Sequence, residues 1–349
     1  MGKDRPFTIV HLSDLHLTAS DSGSRSEPKL FGKLRGMNAA CRKILQTPFV
    51  READLILVTG DVTDRGEIEA WKVFWGAVEA AGLTKKVLVV PGNHDVGCLG
   101  FRLPWRSKAY ATEGLKRAID GLRLGNQPTK FPWAVRPNAG VVIFGLNSNN
   151  LGEFRWSGSA GGELKYFELE RLAGLLSKHG DVPVKIVALH HSPNIPATET
   201  ARRRGQKPLG KLERLALQIP QDQRRALRLL CHAAGVRLIL HGHVHLNEDR
   251  RVGGVRIAGT CASTEPLPLS GRTTQTPLSR FGRGAEGEGT TQLKHGAIDR
   301  RPPGGSRKSH LKPVPRRCDA RPGGVYLFHR YTIHGDGGRV TRQCCTVMV

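Results

Sequence analysis

The stretch FTIVHLSDLHL, residues 7–17, begins as an apolar strand and ends with an aspartate and a histidine two positions apart. Its first half has the continuous apolar character of a strand that is buried on both faces of a sheet. Side chains at positions i and i+2 of an extended segment point to the same side. Asp14 and His16 can therefore converge on one point just beyond the strand.

The same arrangement recurs four times further along the chain. Polar side chains follow the apolar runs of LILVTGDVTDRG (55–66), VLVVPGNHD (87–95), IVALHHSP (186–193) and LILHGHVH (238–245). Because ligands of open α/β sheets bind at the carboxyl ends of the strands, we expect these groups to meet at one place. The residues concerned are Asp14, His16, Asp61, Asp64, Asn93, His94, Asp95, His190, His191, His241, His243 and His245.

This set of carboxylates, one amide and several imidazoles favours a centre of two divalent ions, which lie about 3.5 to 4 Å apart in such sites and need a bridging group. Asp61 is our candidate for the bridge. Cysteine is absent from the set, which disfavours structural zinc and suits Mn, Fe or Zn in a hydrolytic nitrogen and oxygen site.

Taken one at a time, the motifs have ordinary explanations. Asp14 and His16 could be loop or capping residues, and Asp64 could cap the helix that begins near residue 67. His241 is an extra histidine that we interpret as a core or outer-shell residue. Chance is a poor explanation for all five motifs together, because it would have to place ligand-type residues at each of five strand ends.

Composition narrows the class of protein further. The 349 residues carry a formal net charge of +24, which implies attraction to phosphates, nucleic acids or acidic lipid surfaces. Seven cysteines, an odd number without a C-x-x-C pair, favour a reducing cytoplasm over a disulfide framework. We also expect no membrane span, since no apolar stretch approaches roughly 20 residues.

Alternating strand and helix patterns predict an α/β fold. Strands are expected at 8–12, 55–59, 87–90, 141–146, 185–189, 237–240 and 255–258, and helices at 34–45, 67–81, 163–178 and 222–234.

The composition of the sequence divides the chain into three segments. Residues 1–265 form the expected catalytic domain, and 266–323 are a basic, Gly- and Pro-rich insertion without period, which predicts disorder. Residues 324–349 alternate apolar and polar positions around HGDGG and predict a β-hairpin that returns to the catalytic domain.

Together the five blocks, D-x-H, GD-x-x-D, GNHD, the histidine of HHSP and GH-x-H, resemble the calcineurin-like metallophosphoesterases, in family order between residues 14 and 245. The resemblance implies a four-layer fold in which two β-sheets pack face to face with helices outside. It implies two ion sites. The first ion site is Asp14, His16, Asp61 and His245, and the second ion site is Asp61, Asn93, His190 and His243. The family contributes one histidine from the HHSP block, and we favour His190 over His191 because neighbours on a strand face opposite sides.

The resemblance also implies a mechanism, in which hydroxide shared by two ions attacks phosphorus. His94 is similar to the family histidine that stabilises or protonates the leaving oxygen, and Asp64 to the aspartate that orients it. The residues within these blocks are most similar to those of the bacterial branch of the family that includes the class III cyclic nucleotide phosphodiesterases. We therefore expect a phosphodiesterase, with 3',5'-cyclic nucleotides as the leading substrate class.

Substrate choice depends on loops outside the metal blocks, here 97–106, 147–156 and 201–214, so other functions stay open. A DNA or RNA nuclease fits the charge, but Phe281 is the only Phe, Tyr or Trp of the 266–323 insertion, which leaves no stacking platform for bases. A phosphomonoesterase of the same superfamily is a further alternative. An interaction scaffold on the same fold would be expected to have lost ligands, whereas every motif position is filled. The sequence does not predict the oligomeric state.

Overall fold

The computed structural model describes residues 5–26, 34–97, 104–149, 160–194, 217–266, 324–335 and 338–348. Apart from its first residue, the predicted 266–323 insertion lies outside these ranges. The elements are β1 (Phe7–Leu12), α1 (Met37–Gln46), α2 (Pro48–Arg51), β2 (Leu55–Thr59), α3 (Ile68–Ala80), β3 (Val87–Val90), α4 (Pro104–Leu124), β4 (Trp133–Asn138), β5 (Val141–Gly145), α5 (Tyr166–Lys178), β6 (Val184–Ala188), α6 (Gln221–Ala233), β7 (Leu238–His241), β8 (Glu248–Val252), β9 (Val255–Gly259), β10 (Val325–Ile333) and β11 (Val340–Met348).

The strands form two sheets. The first has the order β11-β10-β1-β2-β3 and the second the order β4-β5-β6-β7-β9-β8. In the first sheet β1, β2 and β3 are parallel, with Leu12 opposite Val58 and Thr59 opposite Val90. In the second sheet β5, β6, β7 and β9 are parallel. The carboxyl ends of the parallel strands in each sheet therefore lie along one edge, where the polar motifs follow them.

The two sheets pack against each other through one face of each. Successive strand residues point to opposite faces, so Ile9 enters the layer between the sheets while Val10 faces the helices. The layer between the sheets includes Ile9, Leu57 and Val90 from the first sheet and Ile143, Ile186 and Leu240 from the second.

Helices cover the outer faces. The outer face of the first sheet packs on α1 and α3, through residues that include Val10, Ile56, Met37, Ile44, Trp71 and Phe74. The outer face of the second sheet packs on α5 and α6, through residues that include Val142, Val187, Leu169, Leu172, Leu227 and Cys231. The expected α/β class, with two packed sheets flanked by helices, is confirmed.

Each predicted strand and helix has a counterpart, with ends that differ by a few residues. The sequence did not predict α2, β4, β8 and α4. β8 (Glu248–Val252) carries Arg250 and Arg251, and its residues are mostly half-buried or exposed at the edge of the second sheet. An edge strand of this kind lacks the apolar run by which buried strands are recognised.

The C-terminal hairpin of β10 and β11 extends the first sheet. β10 runs antiparallel to β1, with His329 opposite His11. Gly324, just before β10, lies close to Pro266, since a Cβ atom built on Gly324 would be 3.0 Å from Cβ of Pro266. The first residue of the predicted insertion and the first residue after it are therefore neighbours. The segment boundaries after residue 265 and before residue 324 stay a prediction. In the described ranges, no helix has the length and apolar character that a membrane crossing requires.

Candidate metal centre

The side chains of the seven predicted ligands gather where strands of the two sheets end. Asp61 Oδ2 lies 3.2 Å from Nε2 of His190 and 3.8 Å from Nε2 of His16. His245 Nε2 lies 3.4 Å from Asp14 Oδ1. Asp61 thus faces a histidine of each proposed ion site, which is the position that a bridging carboxylate requires.

Two compact groups of ligand atoms correspond to the two ion sites. The ligand atoms of Asp14, His16 and His245 lie within 4.8 Å of one another, and so do those of Asp61, His190 and His243. Asn93 joins the second group, because its Oδ1 is 3.1 Å from Nε2 of His190. A further group combines His16, Asp61 and His94, so the predicted leaving-group histidine borders both ion sites.

The backbone at this edge has an uncommon conformation. Among the described residues, six other than glycine have positive φ, and five of these are predicted ligands. Such conformations cost about 1–3 kcal/mol each and persist where the surrounding structure imposes them, often at functional sites. The five ligands are Asp14, His16, Asp61, His243 and His245, with φ between 47° and 69°.

Two glycines permit close approach of the loops. A Cβ atom at Gly92 would clash with the Asp61 carboxylate, and one at Gly242 would clash with Ser13. Glycine at these positions lets the loops after β3 and β7 press against the loops after β2 and β1.

Charges within the buried centre shift the pKa values strongly. Burial alone would raise the pKa of Asp61, but His190 and His94 more than offset this effect, so its pKa lies well below the usual value. Burial lowers the pKa of His190, yet Asp61 and Asp14 raise it to about 9. Burial, together with neighbouring histidines, lowers the pKa of His243 well below its usual value. Asp61 as an anion and His243 as a neutral imidazole are in the states that bind cations, whereas His190 has to release a proton when an ion binds.

The residues present fit divalent ions. Nε2 of His243 is buried and has no hydrogen-bond partner among the described residues, although an unpaired buried nitrogen is costly. A bound cation would accept its lone pair. Oxygen and imidazole donors without thiolate are a set that Mn, Fe or Zn can use.

The structure separates the two neighbouring histidines after β6. His190 donates through Nδ1 to the Thr59 carbonyl at 2.7 Å, which directs its Nε2 to Asp61 and Asn93. His191 instead has one ring nitrogen 3.0 Å from Ser148 Oγ and the other 3.1 Å from the Ala160 carbonyl. Both nitrogens of His191 are engaged with protein groups, which favours His190 as the ligand.

We expected the Asp64 carboxylate to orient His94, but His94 contacts a different group of Asp64. Its Nδ1 donates to the main-chain carbonyl of Asp64 at 2.8 Å, while the Asp64 carboxylate is 4.0 Å away. That carboxylate lies closer to Arg25, with 3.2 Å between Arg25 Nε and Oδ1. The main chain at residue 64 therefore sets the His94 ring, and the guanidinium draws the carboxylate aside.

Asp95 is a buried residue whose role the sequence did not predict. Its carboxylate accepts hydrogen bonds from the main-chain nitrogens of Val62, Thr63 and Gly92, at 3.2, 2.8 and 2.9 Å. It thereby ties the loop after β3 to the loop after β2. The only signal for it in the sequence is its place in GNHD.

Arg25 and Glu265 also contact the centre without having been predicted. They lie outside the motif blocks, nine residues after His16 and twenty after His245, and Arg25 is buried. Arg25 Nη1 lies 3.2 Å from Glu265 Oε1, and the other Glu265 oxygen is 3.4 Å from Nδ1 of His245.

Comparison with known proteins gives results of three kinds. The sequence profile of the family described as calcineurin-like phosphoesterase matches residues 7–247. The chain is 26% identical over 277 residues to a cAMP/cGMP dual specificity phosphodiesterase of Mycobacterium tuberculosis, covering 76% of this chain and 71% of the relative. It is 26% identical over 273 residues to a 3',5'-cyclic adenosine monophosphate phosphodiesterase of Pseudomonas aeruginosa, covering 75% of this chain and 79% of the relative. Among solved structures, a dimetal phosphatase from Danio rerio is similar in fold, with a TM-score of 0.51 and 13% identity over 75% of this chain and 90% of the other.

Proposed function

We propose that this chain, which belongs to the calcineurin-like phosphoesterase family and is a metal-dependent phosphoester hydrolase, cleaves phosphodiesters at a centre of two divalent ions. The leading substrate class is the 3',5'-cyclic nucleotides. The observation that carries the proposal is the position of Asp61, whose carboxylate faces His16 of one ligand group and His190 of the other.

Each side chain has a stated task in this proposal. Two ions of Mn, Fe or Zn, when bound, would supply an activated water and neutralise the phosphate oxygens. The first ion site would hold one of them and the second ion site the other, with Asp61 shared. His94 would stabilise or protonate the leaving oxygen, because its Nδ1 donates to the Asp64 carbonyl and Nε2 is then the proton-exchanging nitrogen.

The relatives support the choice of substrate class. The two bacterial relatives are named as phosphodiesterases for cyclic nucleotides, and each match covers about three quarters of this chain. Their identity of 26% supports a shared diester chemistry more strongly than a particular base.

The test is a substrate screen of the purified full chain loaded with Mn²⁺. The panel contains bis-p-nitrophenyl phosphate, p-nitrophenyl phosphate, cyclic AMP, cyclic GMP and single-stranded DNA, with Asp61→Asn as the inactive control. We expect hydrolysis of the diester and of cyclic nucleotides in preference to the monoester. Preference for p-nitrophenyl phosphate would identify a monoesterase, and preference for DNA a nuclease. Absence of all hydrolysis by protein with two bound ions would favour a scaffold.

A further inference from the structure

Three buried or half-buried charges lie directly behind the first ion site. Arg25 is 2% exposed and Asp64 is 1% exposed, and Glu265 lies at the rim. The Arg25 guanidinium reaches both carboxylates, with 3.2 Å from Nε to Asp64 Oδ1 and 3.2 Å from Nη1 to Glu265 Oε1. A single cation thus bridges two carboxylates that come from distant parts of the chain.

One of these carboxylates, that of Glu265, faces the outer nitrogen of a histidine of the first ion site. Glu265 Oε2 is 3.4 Å from Nδ1 of His245, whereas Asp64 Oδ1 is 3.9 Å from Nδ1 of His16, beyond hydrogen-bond distance. The other nitrogens, Nε2 of His16 and Nε2 of His245, face each other at 3.4 Å among the ligand atoms. In both rings, therefore, Nε2 is directed to the ion position, and in His245 Nδ1 is directed to a carboxylate.

The backbone holds this arrangement in place. The Ser263 main-chain nitrogen donates to the Ser13 carbonyl at 2.9 Å, and Thr264 Oγ1 donates to the Leu15 carbonyl at 2.6 Å. These bonds fix the segment that carries Glu265 against the loop that carries His16. The arrangement is therefore set by several independent contacts rather than by the Arg25 ion pairs alone.

The second ion site is supported differently. Nδ1 of His190 donates to a neutral acceptor, the Thr59 main-chain carbonyl, at 2.7 Å. A carboxylate behind a histidine ligand makes the imidazole more basic than a carbonyl does, and strengthens its bond to a metal. The charges behind the two ion sites are thus unequal.

We infer that Arg25 is a positioning residue for the first ion site, where its ion pair with Glu265 holds that carboxylate against the outer nitrogen of His245. The inference rests on the proposed two-ion centre. In this inference Arg25 acts only through the Glu265 carboxylate. Its removal leaves Glu265 without this counter-ion, which moves the carboxylate away from His245. The consequence is selective: the first ion site weakens and the second does not.

Titration of the metal-free full chain with Mn²⁺, followed by calorimetry and electron paramagnetic resonance, tests this inference. Wild-type protein should bind two ions and give the spin-coupled signal of neighbouring Mn²⁺. For Arg25→Gln we expect the affinity for one ion to fall by about 10- to 100-fold, with the other unchanged. At two equivalents the six-line signal of isolated Mn²⁺ should replace the coupled signal. The control is Arg42→Gln, which removes an exposed pair with Asp21 and should bind as wild type does.

A second variant keeps the test decisive if Arg25→Gln does not fold. Glu265→Gln retains the size of a half-buried side chain and its hydrogen-bond acceptor but removes the charge behind His245, so the same selective loss is expected. Two unchanged affinities, or equal loss of both, in whichever of the two variants is folded would overturn the inference. A separate result would contradict the proposed function itself: wild-type protein that binds fewer than two ions.

Discussion

The Asp61 carboxylate, which follows β2 of the first sheet, lies 3.2 Å from Nε2 of His190, which follows β6 of the second. The contact joins the ends of strands from the two sheets that pack face to face. The candidate centre is therefore assembled by the same packing that forms the layer between the sheets, and it cannot exist in either sheet alone.

Replacement of Asp61 by Asn should remove ions from both sites, because its carboxylate faces histidines of both. We expect less than one bound ion per chain by elemental analysis, and diester hydrolysis reduced by at least about 100-fold, since several kcal/mol of charge stabilisation are lost. Asp21→Asn, at an exposed position, is the control. Two retained ions in Asp61→Asn would contradict the bridging role.

Replacement of His94 by Ala should lower turnover by about 100- to 10,000-fold while the ion content stays at the wild-type level. The reason is that His94 borders the ion sites and is assigned to the leaving group. The loss should be smaller for bis-p-nitrophenyl phosphate, whose leaving group needs little protonation, than for a cyclic nucleotide. His232→Ala, at an exposed position, is the control. Equal loss of ions and activity would refute the assignment.

The two histidines after β6 should respond differently to substitution. His190→Gln should lose one ion, because Nε2 of His190 faces Asp61 and Asn93. His191→Gln should keep both, because its ring nitrogens contact Ser148 and Ala160. Elemental analysis of the two purified variants decides this. The reverse outcome would make His191 the ligand.

The sequence predicted the parts of this centre that lie at strand ends. An apolar run followed directly by Asp or His is visible in one dimension, and sheet geometry then brings such ends together. Arg25 and Glu265 could not be found in this way, since only tertiary packing brings them behind His245. The contact of the Asp64 carboxylate with Arg25 was unpredictable for the same reason. β8 was missed because its charged residues conceal its pairing with β9.

An ion-pair cluster at the far edge of the second sheet should make stability depend on acid pH. Burial would raise the pKa of Asp249, but hydrogen bonds from Arg256 at 2.8 and 2.7 Å hold it below the usual value, helped by Arg342 of β11. A lowered folded pKa adds stability that is fully present above the unfolded value of about 3.9 and is lost as the pH falls through the folded value.

Asp249→Asn should accordingly lower the free energy of unfolding at pH 7 by about 0.5–1 kcal/mol in urea titrations, because water screens an ion pair at this exposed position. The difference from wild type should shrink below about pH 4, where the unfolded aspartate also becomes protonated. Asp120→Asn, which removes an exposed pair with Arg123, is the control. A difference that is independent of pH would show that Asp249 stabilises by packing rather than by charge.

Replacement of residues 267–323 by a short Gly-Ser linker should preserve folding and diester hydrolysis. Pro266 and Gly324 are already neighbours, so a few residues close the gap without moving β10. Thermal unfolding and activity of the shortened chain, compared with the full chain, provide the measurement. Loss of the folded state would show that the predicted insertion is part of the core.

The left-handed backbone at five of the ligands has a consequence for how this chain can change. Glycine adopts that conformation without strain, whereas aspartate and histidine do not. A chain with glycine at His16 or His243 would relieve the backbone strain at that position but would lose a predicted ligand. Directed evolution that screens for thermostability alone would drift toward such variants, so a stabilised version of this protein has to be selected for turnover at the same time.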